Sequence, residues 1–173
     1  PKILIMAIKK NLVLLGMMGV GKSTIGKYIA KKLEIKFFDI DKLIEKKNEM
    51  KIKEIFETQG EAYFRKDEEL ITLKYLGEKE SVISLGGGAF INDKIRKKVL
   101  SDCFSVWLNL NLKNLYKRLK KNKNRPLIKN SNLDDVSKVL SERKKIYSKA
   151  DKEINCDNLS LNQTVNKIIK LYE

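Results

Sequence analysis

Residues 11–24, NLVLLGMMGVGKST, carry the stretch on which the reading of this chain turns. An uninterrupted apolar run is followed by G-x-x-x-x-G-K-[ST], and beyond it Ile25, Ile29, Ala30 and Leu33 fall on one face of a helix expected over 21–33. A strand, a glycine loop and a helix in that order form an anion cradle, because successive backbone N–H groups and the helix N-terminus converge on one point. The cradle should run from Gly19 through Val20, Gly21, Lys22 and Ser23 to Thr24, holding the phosphates of ATP. Lys22 would reach the β- and γ-phosphates, and the Ser23 hydroxyl would ligate Mg2+.

The same alternation continues along the chain. Apolar runs at 35–41, 81–86, 104–110 and 153–156 read as further strands, and amphipathic stretches at 42–48, 51–58, 61–77, 93–100, 112–121, 133–149 and 161–172 as helices. Strands alternating with helices predict an α/β fold, a parallel sheet covered on both faces, with ligands at the carboxyl ends of the strands. At 173 residues and 42% hydrophobic, one domain spanning 1–173 is expected, with residues 1–10 as a short leader and about 120–132 as a polar lid loop. No window is long and apolar enough for a membrane span, so a soluble cytoplasmic protein is expected. The absence of a sizeable apolar surface stripe suggests a monomer.

Composition removes several chemistries. Histidine is absent and Cys103 and Cys156 lack metal-site spacing, so a carboxylate or lysine must carry any acid–base step near neutral pH. The net charge of +15 comes from lysines scattered over nearly every helix. Without an arginine-rich arm or an aromatic platform, nucleic acid is not expected as the main partner. Against that lysine background the arginines stand out: Arg65, Arg96, Arg118, Arg125 and Arg143, within a Lys+Arg total of 37. Where lysine serves for ordinary charge, a planar fork suited to carboxylate or phosphate marks a candidate site.

The other strand ends supply the acceptor side. In FFDIDK (37–42), Asp39 and Asp41 would point to the same side in extended geometry, Asp39 toward the magnesium water shell and Asp41 toward the acceptor hydroxyl. No guanine-selecting N-K-x-D follows, which leaves a small kinase that brings an acceptor to ATP. Phe56, Phe64 and Arg65, with Glu68 one turn beyond, suit a ligand that has an apolar ring face and a carboxylate, and Arg143 offers a second fork. Three of the nine glycines, Gly86, Gly87 and Gly88, end the run SVISLGGG, where they would bring bare main chain against a compact, hydroxyl-rich ring. Arg125, in NRPLI (124–128), would neutralise charge on the transferring phosphoryl group.

With these motifs in hand, the chain resembles the shikimate kinases over nearly its whole length: G-x-x-G-x-G-K-S/T, D-x-D, F-x-x-x-G-E-x-x-F-R, G-G-G, R-P-L and R-x-x-x-Y. The resemblance implies a three-layer α/β/α P-loop kinase with a five-stranded parallel sheet of order 2-3-1-4-5, transferring a phosphoryl group from MgATP to the shikimate 3-hydroxyl in chorismate and aromatic amino-acid biosynthesis. It further implies shikimate contacts from Asp41, Arg65, Arg143 and Gly86 to Gly88, a ring lining of Phe56 and Phe64, phosphate and lid contacts from Lys22 and Arg125, an adenine-side Arg118, and magnesium positions at Ser23 and Asp39. Lys145 and Ile146 stand where the family often has Pro-Leu before the tyrosine. Another small-metabolite kinase of this fold, such as a gluconate kinase, and a nucleotide-dependent nucleic-acid binder remain the alternatives.

Overall fold

The computed structural model describes residues 9–121 and 132–173. Arg125 and most of the expected lid loop lie outside the described residues. Strand β1 (Asn11–Leu15) leads to α1 (Lys22–Leu33), β2 (Lys36–Asp39) to α2 (Ile40–Asn48), α3 (Ile52–Gln59) and α4 (Glu61–Leu76). Then follow β3 (Ser81–Ser84), a 3-10 turn (Ala89–Ile91), α5 (Asp93–Asp102), β4 (Cys103–Asn109), α6 (Leu112–Lys121), α7 (Leu133–Tyr147), β5 (Lys152–Asn155) and α8 (Leu161–Tyr172).

The sheet order is β2-β3-β1-β4-β5 and every neighbouring pair is parallel. β1 sits at the centre because it is apolar from Leu12 to Leu15: Leu12, Val13 and Leu14 are fully buried, as expected for a strand covered on both faces. Helices surround the sheet, α1 packing with α8 and α4 with α5. Charged and polar groups secure the sheet where apolar packing cannot. The Asn11 side chain donates to Glu78 O and accepts from Ser81 N, joining the start of β1 to β3. Asp151 accepts from both the backbone N–H and the hydroxyl of buried Ser105, fixing the entry to edge strand β5 against β4.

Register places the site. Ser84 pairs with Leu14 on one side and with Asp39 on the other. Parallel strands at one level release their chains at one level, so the loop after β1, the start of α2 and the glycines after β3 emerge together at the carboxyl edge.

One expected geometry does not hold. β2 stops at Asp39 and α2 begins at Ile40, so Asp39 and Asp41 do not share an extended segment. Asp39 is the helix N-cap, accepting from Lys42 N at 3.3 Å, and Asp41 belongs to the first helical turn. A capping aspartate favours helix initiation, and helical twist then turns Asp41 away from Asp39.

Leu14→Ala should cost about 2–5 kcal/mol, since the central strand cannot collapse around the lost side chain. Urea unfolding measures this; a change below about 1 kcal/mol would show that the centre of the sheet is not tightly packed.

Candidate active site

The loop after β1 needs its glycines for different reasons. Gly16, Gly19 and Gly21 all have positive φ, which side chains rarely adopt, and a Cβ on Gly16 would lie 2.6 Å from Leu108 O. The loop ends on α1 with no capping side chain and no acidic residue in the first turn. The carboxylate that reaches this positive helix end is Asp39, from the end of β2. Lys22, 7% exposed, curls back to donate to Gly16 O at 2.6 Å and Met17 O at 2.9 Å, which holds its ammonium at the loop. Ser23 and Asp39 meet directly, hydroxyl to carboxylate at 2.6 Å. Thr24 lies exposed in the same first turn. Arg118, from α6, donates to Val20 O at 3.1 Å.

The second cluster gathers around the three glycines, none of which has positive φ. Space, rather than conformation, is what requires glycine here. A Cβ on Gly86 would lie 2.7 Å from Glu68 Oε2 and 2.8 Å from Asp41 Oδ1, and one on Gly88 would lie 2.6 Å from Arg65 Nη1. Gly87 lies against Met18 of the first loop, so the two clusters touch. Its carbonyl accepts from Arg143 Nη1 at 3.2 Å and from the Tyr147 hydroxyl. Arg143 and Tyr147 are four residues apart on α7 and share a face, and Met17 Sδ lies 3.8 Å from both donors.

On α4, Arg65 donates to Glu68 at 3.0 Å and its guanidinium lies over the Phe64 ring, 5.3 Å from the centroid. Phe56 and Phe64 pack with ring centroids 4.8 Å apart. Glu68 is only 3% exposed. Burial pushes its carboxyl above the usual range, Arg65 pulls it back most, Asp41 adds repulsion and Arg143 a further attraction. Tyr147, fully buried against Trp107, has its phenol lifted above its ordinary value by burial and remains a donor.

Thus the positions expected from the sequence separate into one group at the β1–α1 loop (Lys22, Ser23, Asp39 and Arg118) and another around the glycine turn after β3 (Asp41, Phe56, Phe64, Arg65, Gly86 to Gly88, Arg143). The depth of Glu68 and the Tyr147 contact with Gly87 were not read from the sequence. The R-x-x-x-Y spacing carried the signal for Tyr147.

The chain and its fold have counterparts among known proteins. The shikimate kinase family model matches residues 18–173. The chain belongs to the shikimate kinase family. It is 41% identical over 164 residues to the shikimate kinase of Bacillus licheniformis, covering 94% of this chain and 93% of that protein. Among solved structures, the Acinetobacter baumannii shikimate kinase in complex with shikimate aligns with a TM-score of 0.90 at 30% identity, over 94% of this chain and 92% of that one. The Aquifex aeolicus shikimate kinase aligns with a TM-score of 0.81 at 37% identity, over 92% and 94% respectively.

The raised carboxyl of Glu68 has a pH signature. A native pKa above the unfolded value means the native state binds the extra proton, so stability is held below the ordinary carboxyl range and lost as pH rises through the native value. Relative to Glu68→Gln, the parent should therefore lose stability upward from about pH 4.5, by less than about 1.4 kcal/mol per pH unit. Urea unfolding of both proteins between pH 4.5 and 7 reads this. A difference independent of pH would show that the carboxyl is not perturbed.

Proposed function

We propose that this chain phosphorylates the 3-hydroxyl of shikimate with MgATP, giving shikimate 3-phosphate and ADP, in the pathway to chorismate and the aromatic amino acids. The observation that carries this reading is the bare backbone of Gly86 to Gly88, flanked by the Asp41 carboxylate on one side and the guanidinium groups of Arg65 and Arg143 on the other. A carboxylate beside two forks suits a small ring that carries both hydroxyls and a carboxylate.

Asp41 accepts a hydrogen bond from the acceptor hydroxyl and orients it for in-line attack, taking its proton as the new O–P bond forms. Arg65 and Arg143 hold the substrate carboxylate, while Phe56 and Phe64 cover the apolar ring face. With the Gly87 carbonyl already committed to Arg143 and Tyr147, the N–H edge of the turn is the side that faces substrate oxygens. Lys22 and the amides of Gly19 to Thr24 bind the ATP phosphates, and Arg118 flanks the adenine side. Arg125 closes over the phosphoryl group and excludes water.

The Ser23 hydroxyl beside the Asp39 carboxylate fits magnesium, a hard cation that takes oxygen ligands and keeps several waters. Ser23 would hold it directly and Asp39 through water. Bound there, the ion neutralises phosphate charge.

Among the described residues the exposed large apolar side chains, Tyr28, Tyr63, Leu70, Leu100, Leu133, Leu161 and Leu171, are spread over α1, α4, α5, α7 and α8, and we read the chain as a monomer. Among the described residues no helix is long and apolar enough to cross a membrane, and we place the enzyme in the cytoplasm with its ATP.

Asp41→Asn should lower kcat about 100-fold or more and leave the KM for ATP within about twofold, because it keeps the size but not the basicity of the group. Unchanged turnover would remove Asp41 from the proton transfer. Arg65→Lys should raise the shikimate KM about 10- to 150-fold, the equivalent of about 1.5–3 kcal/mol for a charged hydrogen bond. An unaltered KM would contradict the carboxylate contact.

A further inference from the structure

Of the arginines that stand out against the lysine background, Arg96 has no place in the reaction described above. It nevertheless reaches the turn that follows Gly86 to Gly88. Its Nη1 donates to Phe90 O at 3.1 Å and Ile91 O at 3.0 Å, at the end of the turn that Gly86 begins, and its Nη2 pairs with exposed Asp93. The arginine side chain is 15% exposed, so these are contacts made mostly away from water.

The carbonyls from Gly86 to Ile91 are all held. Ala89 N donates to Gly86 O, Ile91 N to Gly88 O and Asn92 N to Ala89 O, Arg143 and Tyr147 take Gly87 O, and Arg96 takes the remaining two. Phe90 is fully buried, and carbonyls in such a turn cost free energy if unpaired. A second tie fixes the same segment from outside. Asn92 caps α5 by accepting from Ile95 N and donates through its amide to Glu69 of α4, the residue after Glu68.

We infer that Arg96 is a positioning residue for shikimate binding: by clamping the Phe90 and Ile91 carbonyls to α5, it fixes the orientation of the Gly86 to Gly88 backbone at the acceptor site. This rests on those glycines being substrate contacts. A lysine at 96 retains a donor and a charge but not the fork that serves two carbonyls and Asp93 together. Its effect should be a partial loss.

The test is steady-state kinetics on Arg96→Lys, Arg96→Gln, Asp93→Ala and Gly87→Ala, each well below its own melting midpoint. The shikimate KM should rise at least fivefold in Arg96→Gln and less in Arg96→Lys, while the ATP KM stays within twofold in both. Asp93→Ala, which removes only the exposed partner, should match the parent. A shikimate KM within twofold of the parent in Arg96→Gln would overturn the inference. So would equal rises for both substrates, or failure of both Arg96 variants to fold, either of which would make the arginine a support of the fold alone. Gly87→Ala separates the two layers: a Cβ there would lie 3.1 Å from Met18 Cγ and 3.3 Å from Met18 N. A normal shikimate KM in that variant would remove the glycines from the substrate site, and the role of Arg96 with them.

Discussion

Close approach of charged side chains to a backbone without side chains is the constraint on which the acceptor site depends. Asp41 comes from α2, Arg65 and Glu68 from α4, and each comes nearer to Gly86 or Gly88 than a Cβ would allow. Those glycines can be met from two helices only because β2, β3 and β1 run parallel in register, which delivers Asp39, Ser84 and Leu14 at one level. Sheet topology and glycine spacing are therefore parts of one arrangement. Altering either would separate the carboxylates from the turn.

Electrostatics divides the carboxyl edge into two halves. The first gathers Lys22, Arg118 and the start of α1, whose own first turn carries no acid and which the Asp39 carboxylate meets at Ser23. The second buries Glu68 near Asp41, an unfavourable pair unless guanidinium groups compensate, and Arg65 and Arg143 both do. Glu68 so fixes Arg65 at 3.0 Å while Arg143 is fixed by the Gly87 carbonyl at 3.2 Å. Both forks are thus held in place before any ligand arrives, which lowers the ordering cost of binding there. The Met18 to Gly87 contact joins the halves, so that the phosphate loop and the acceptor turn form one continuous wall.

Much of this was legible in the chain itself. The phosphate loop has a fixed spacing and a required strand-to-helix context, and both could be read directly. The arginines were informative because lysine supplies ordinary charge here, and Arg65, Arg118 and Arg143 all lie at one of the two clusters. What could not be read was three-dimensional. Asp39 and Asp41 look like neighbours on a strand, yet an N-cap separates them and sends one to Ser23 and the other to Gly86. The glycine triplet suggests unusual φ values, but its backbone is ordinary and only the crowding around it excludes a side chain. Tyr147 and Arg96 reach the turn from α7 and α5, contacts that no local pattern in the sequence specifies.

The central claim is that the two clusters together transfer phosphate from ATP to shikimate. Its most direct measurement is ADP formation by the purified chain with MgATP, comparing shikimate with quinate and gluconate as acceptors. Release that depends on shikimate and is absent or far slower with the other two is the predicted result. Equal or faster release with quinate or gluconate would contradict the acceptor site as assigned, and no acceptor-dependent release at all would contradict the transfer itself.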